Sequence, residues 1–224
     1  MALRSFDEIF DRAAARKGSA AAVEAQLPTL KTPAELAAIP DDRWLSMMSR
    51  CVFQAGFSWS VVDKKWPGTE EAFWTFSPAR CRAMSDEEFD ALLKDSRIIR
   101  NGAKVRAVQN NAAFVMDLAA EHGSAAKAFA DWPMSDYIGL LDLIKARGDR
   151  LGGGAGMMML RFMGKDSWVA SPDMVKALVL EGVIDGAPDT KKARRATQAA
   201  FDAWAEESGR PFAHISRVLA MSVD

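Results

Sequence analysis

Four glycines crowd the stretch Leu151-Gly152-Gly153-Gly154-Ala155-Gly156, between two segments with helical periodicity. Glycine permits positive φ in a tight turn and lets backbone N–H groups reach a phosphate with no Cβ in the way. A helix starting at Met157 would add its N-terminal dipole to the same anion site. The plainer reading of such a cluster is a flexible turn. Arg97, Arg100, Lys104 and Arg106 lie within ten residues with no acid among them, either a phosphate footprint or a solvated face. Lys191, Lys192, Arg194 and Arg195 form a second basic run at a helix start, where the dipole disfavours cations, which fits a surface or partner role, or more plainly a solvated face. Trp59 offers a ring on which a base can stack, an interaction worth roughly 1–3 kcal/mol, or a core side chain. Gln54 offers an amide able to read a base edge, or a buried amide satisfied by backbone. His122 and His214 are isolated and read as structural, and no Ser/His/Asp order, P-loop or dinucleotide fingerprint occurs.

The elements that must position these residues are helices throughout. Phe6, Ile9 and Phe10 form an apolar stripe within one or two helices over residues 5–26, and Thr32-Pro33 starts a short one. Pro40-Asp41-Asp42 opens a longer helix that Gly56 interrupts, a break suited to the mouth of a cleft. The next helix runs from Ser58 to Trp66, where Pro67-Gly68 should end it. Ser77-Pro78 and Ser85-Asp86-Glu87-Glu88 start two short helices, and a long one spans about 102–122. Helices follow over 135–147 and, beyond the glycines, over 157–163, with Met157–Met159 and Leu160 as core. Ser171-Pro172-Asp173 caps and opens another, and 189–208 and 211–222 supply the last two. The expectation is an all-α fold.

Composition bounds the rest. The 224 residues suffice for one large domain or two helical lobes, and 49% hydrophobic with 26% charged is ordinary for a globular chain. With 29 basic and 30 acidic residues the net charge is −1, so any nucleic-acid binding must use a local positive face. Two cysteines, Cys51 and Cys81, argue against a disulfide framework and for a reducing compartment. The N-terminal sequence lacks a signal-peptide pattern and no run is long enough to span a bilayer, so a cytoplasmic protein is expected.

Three ordered blocks carry a likeness: FQAGFSWSVVDKK at 53–65, AFWTFSP at 72–78 and LLKDSRIIRNGAKVRAVQNNA at 92–112. Their order and spacing resemble the 3-methyladenine DNA glycosylase I family of the helix-hairpin-helix glycosylase superfamily. The likeness rests on Gln54, Ala55, Gly56, Ser58, Trp59, Lys64, Lys65, Phe73, Phe76 and Pro78 in the first two blocks. Ile98, Ile99, Arg100, Asn101, Lys104, Asn111 and Ala112 carry it in the third. The glycine cluster is similar to the hairpin of that superfamily.

The sequence departs from the family pattern in three places. The family's pocket Glu stands eight residues before the Trp of its Gly-Leu-Ser-Trp block, and that position is Cys51 here. The family's zinc needs two Cys and two His brought together, whereas Cys51, Cys81, His122 and His214 are scattered, so zinc is not expected. The sequence before about residue 45 does not follow the family's aromatic N-terminal stretch.

The resemblance implies a bilobal helix-hairpin-helix glycosylase fold, a single domain over 1–224 with two lobes around a central cleft. It implies hydrolytic release of an alkylated purine, such as 3-methyladenine, flipped out of damaged double-stranded DNA. Gln54, Trp59 and Cys51 would line the base pocket, and Gly152, Gly153, Gly154, Gly156, Arg100 and Lys104 would meet the DNA backbone. Asp173 is close to the position where superfamily members carry a catalytic carboxylate beyond the hairpin, one residue out of register. The plainer reading is an early-turn acid favoured by the helix dipole. A monomer with no cofactor and no lyase lysine is expected. The alternatives are a non-catalytic DNA-binding protein on the same fold, and a helical protein unrelated to DNA.

Overall fold

Side-chain caps set most of the helix starts. In the computed structural model, which describes residues 3–224, Ser5, Ser19, Thr32, Ser85, Asn101, Ser124, Ser171 and Thr190 each accept a backbone N–H from the first turn they precede. Thr32 with Glu35 and Ser85 with Glu88 complete reciprocal capping boxes.

The helices are α1 Phe6–Lys17, α2 Ala20–Glu24, α3 Pro33–Ala37, α4 Asp41–Gln54 and α5 Trp59–Ala72. After a short turn at Trp74–Phe76 come α6 Pro78–Arg82, α7 Asp86–Lys94, α8 Gly102–His122 and α9 Ala125–Asp131. The chain finishes with α10 Tyr137–Arg147, α11 Gly154–Met163, α12 Pro172–Leu180, α13 Lys191–Ser208 and α14 Phe212–Met221. The fold is all-α, with no strand among the described residues.

Three elements differ from their sequence reading, the first being α9, for which the sequence reading has no helix. The helix after Ser58 continues through Pro67 to Ala72. Pro67 lies on the exposed side, where water can satisfy the carbonyl that loses its partner, while Val62, Trp66 and Thr69 stay buried on the other. The helix after the glycine cluster begins at Gly154 rather than Met157, so the later glycines form its first turn.

The chain forms two compact units. One comprises the residues up to Leu30 with Pro133–Gly139 and Asp166–Asp224. Its core gathers Phe6, Ile9, Trp168, Phe201, Trp204 and Ile215, and the Tyr137 hydroxyl donates to the Trp168 carbonyl at 2.9 Å.

The other unit comprises Lys31–Trp132 and Leu140–Lys165. Its spine is α8, which packs against α4, α6, α7 and α9, while α11 packs on α4. Trp44 stacks on Phe129 with ring centroids 4.7 Å apart, and Phe53, Trp66, Phe73 and Phe76 form a second aromatic cluster. Each such burial contributes about 1.5–3 kcal/mol. That gain supports an unusual turn: Trp74, Thr75 and Phe76 all hold left-handed backbone, φ 51°, 54° and 58°. The conformation costs about 1–2 kcal/mol per residue. It turns the chain so that Phe73 and Phe76 both point inward, and Arg43 holds it by donating to the Thr75 carbonyl at 2.6 Å.

Candidate functional site

Within this second unit a hollow of about 230 Å³ opens between the end of α4, the start of α5 and the first turns of α11. Cys51 and Gln54, three residues apart and so on one face of α4, line it with Ala55, Trp59, Gly154, Ala155 and Met158.

One helix fixes both walls. Asn101 caps α8 by accepting the Lys104 N–H at 3.1 Å. One turn on, the Lys104 ammonium is buried and donates to the carbonyls of Phe53 (3.0 Å) and Ala55 (2.5 Å), satisfying groups that the end of α4 leaves open. Burial holds this ammonium's pKa below the usual lysine value, with the nearby Arg150 charge adding to the effect. Two turns further along the same face, Asn111 is fully buried. Its side-chain amide exchanges two hydrogen bonds with the backbone of Asp149, at 2.8 and 3.0 Å. Lys104 therefore ties down the α4 wall, and Asn111 ties down the glycine turn.

The glycines divide by role. Gly153 has φ 73° and ψ −134°, a conformation open in practice only to glycine, and it turns the chain into α11. Gly156 is buried, its N–H donating to the Leu151 carbonyl at 3.0 Å. A Cβ there would run into that carbonyl oxygen and the Ile144 side chain. A Cβ on Gly154 would meet nothing within 4 Å. Gly152, Gly153 and Gly154 are exposed.

Among the described residues no charged side chain lines the hollow. Burial pushes the Cys51 thiol up to about 12, so it is neutral at physiological pH. Gln54 is buried and donates through Nε2 to Asp63 Oδ1 at 3.0 Å. Trp59 is 49% exposed and meets the exposed Phe162 edge-on, with centroids 6.0 Å apart.

Cys51, Gln54, Trp59 and Gly154, singled out from sequence, thus share one hollow, and Trp59 is not a core residue. Gln54 finds its partner in a carboxylate rather than in backbone. The expectation for Lys104 is corrected. Its ammonium is enclosed by carbonyls and lies 4.3 Å from the centre of the Phe57 ring, which makes it a strut and not a phosphate contact. Arg100 is exposed just ahead of α8. Asp173 lies in the other unit, exposed in the first turn of α12, where Ser171 caps the helix. Cys51 and Cys81 are separate buried thiols, and no group of three or more His, Cys, Asp and Glu among the described residues could hold a metal ion. These donors do not fit zinc. Sequence reasoning missed Ala155, Met158, Asp63 and the clamp through Asn111. Asp63 was findable, since it stands four residues after Trp59 and shares its face of α5.

Residues 38–137 match the methyladenine glycosylase family. Over this segment, a little under half of its length, the chain is similar to that family. Among curated members, DNA-3-methyladenine glycosylase 1 of Escherichia coli (strain K12) is 39% identical over 59 residues, covering 26% of this chain and 32% of that protein. DNA-3-methyladenine glycosylase of Haemophilus influenzae is 41% identical over 59 residues, again 32% of its length. The chain thus matches about a third of the length of these glycosylases. The solved 3-methyladenine DNA glycosylase I from Staphylococcus aureus has a TM-score of 0.48 at 21% identity, over 56% of this chain and 77% of that one. The matched segment supplies Cys51, Gln54, Ala55, Trp59, Lys104 and Asn111; the glycine turn and Asp173 lie beyond it. No helix among the described residues is long and apolar enough to cross a membrane.

Proposed function

We propose that this chain is a DNA glycosylase that flips an alkylated purine of the 3-methyladenine kind out of duplex DNA and hydrolyses its glycosidic bond. The observation that carries the proposal is the meeting of the Trp59 block and the glycine turn in one hollow. The first offers a ring and an amide for a base. The second offers a helix N-terminus whose exposed Gly154 leaves backbone open to a phosphate. Flipping is required because the bond to be cleaved is hidden within the stack. At about 230 Å³ the hollow falls below the roughly 300–1,000 Å³ of most ligand pockets, which suits a single planar base.

An N3-alkylated purine carries a positive charge and departs readily, so recognition and positioning do most of the catalysis. Trp59 stacks on the extruded ring, and Gln54 hydrogen-bonds its edge. No lysine lines the hollow, in keeping with a monofunctional hydrolase rather than a lyase. No metal takes part.

The uncharged lining favours one second reading, a protein that binds damaged duplex without excising a base. Incubation with methylated duplex DNA, with free bases separated and counted, distinguishes the two. Release of 3-methyladenine supports the glycosylase. Salt-sensitive duplex binding with no release supports the binding module, and neither activity contradicts both.

A further inference from the structure

The uncharged hollow has one carboxylate immediately behind its wall. Asp63, one turn into α5, receives the Gln54 Nε2 at 3.0 Å and Arg50 through Nε (3.2 Å) and Nη2 (2.8 Å), all on Oδ1. Three N–H donors converge on this one oxygen, which accepts from each and so fixes which end of the Gln54 amide turns towards it. With Nε2 committed to Asp63, the carbonyl oxygen is the acceptor left for the hollow that Gln54 lines. Arg50 holds the carboxylate in turn. Gln54 is buried while the Asp63 side chain is 42% exposed, so the anchor sits at the surface and the oriented group inside. Among the described residues no other side-chain amide or carboxylate lines the hollow, whose remaining lining is a neutral thiol, an indole, small residues and a methionine.

From this arrangement we infer that Asp63 is a positioning residue for base selection. It locks the Gln54 amide with its oxygen towards the bound base, so that the site accepts a base edge bearing an N–H donor and rejects one bearing an oxygen. Adenine presents an exocyclic amino group where guanine presents a carbonyl oxygen. An alkylated adenine therefore gains a hydrogen bond, whereas the matching guanine meets two facing acceptors. Freed from Asp63, the amide can turn over and serve either base. The inference rests on the glycosylase reading above and adds the group that sets its selectivity.

The test compares release of 3-methyladenine and 3-methylguanine from one sample of methylated duplex by the wild-type chain, Asp63→Leu and Asp63→Asn. Binding of the two free bases is measured in parallel, so that selectivity is read without turnover. The wild type should favour the adenine base by about tenfold, the worth of one hydrogen bond. Asp63→Leu removes the acceptor and should bring the ratio within about threefold. Asp63→Asn keeps an oxygen for Arg50 and Gln54 and should retain the preference. Thermal unfolding confirms that the variants are folded. An Asp63→Leu ratio equal to wild type in both release and binding overturns the inference while leaving the glycosylase reading intact. So does equal loss on both bases, or loss of preference in Asp63→Asn. A wild-type chain that releases neither base defeats the glycosylase reading, and the inference with it.

Discussion

Two glycines two residues apart in α11 separate folding from function. Gly156 has no room for a methyl group, because the Leu151 carbonyl and Ile144 occupy it, whereas Gly154 faces open space beside the hollow. Gly156→Ala should destabilise the protein by about 1–3 kcal/mol, measurable as a lower denaturation midpoint. Gly154→Ala should leave that midpoint unchanged or slightly raised, since alanine is the better helix former, yet weaken duplex binding where a phosphate must approach. Equal stability loss in both variants would remove the distinction. The sequence showed four glycines as a group and could not divide them, because the division depends on what Leu151 and Ile144 place against each one.

Cys51 supplies a second test at this scale. Burial raises its thiol to about 12 from an ordinary 9.0, and Cys81 behaves alike. Both protons are thus held more tightly in the folded chain than in the unfolded one. The stability this brings is complete below pH 9 and is lost as pH rises through the folded values near 12. Unfolding free energy should fall more steeply over that window in the wild type than in Cys51→Ala, and native protein at pH 8 should resist thiol alkylation. Rapid alkylation of the native chain would show Cys51 to be open and ionisable.

Among the elements, α8 does the positioning. Lys104 and Asn111 occupy one face of it, seven residues apart, and hold the α4 terminus and the glycine turn respectively. Lys104→Met keeps the aliphatic stem but leaves two carbonyls unmatched, and Asn111→Leu unpins residue 149. Each should cost about 1–3 kcal/mol in stability. Lys104→Met should alter the salt dependence of duplex binding little, because its charge faces carbonyls rather than solvent. A salt slope reduced by about one in this variant would restore the phosphate contact expected from sequence. Capping residues and apolar periodicity made the helices legible in the sequence. The passage of α5 through Pro67 was not, because it depends on which side of the helix is wet. Nor was the role of Lys104, since a basic cluster reads as surface until the carbonyls around one member are seen.

At the scale of the molecule, the net charge of −1 leaves no general attraction to DNA, so the recognition proposed above would concentrate where the hollow and the glycine turn meet. The likeness to the methyladenine glycosylase family was legible because the blocks that carry it, residues 53–112, fall wholly within the matched segment 38–137. Beyond that segment the glycine turn completes the hollow, and within it Cys51 lines the wall as a neutral thiol. The most direct measurement of the central claim is the amount of 3-methyladenine set free from methylated duplex DNA by the wild type and by Trp59→Ala. The exposed indole is not part of the core, so the variant should fold normally and lose at least about tenfold in rate with the stacking surface gone. Equal rates for the two proteins, or no base released by either, would contradict the account.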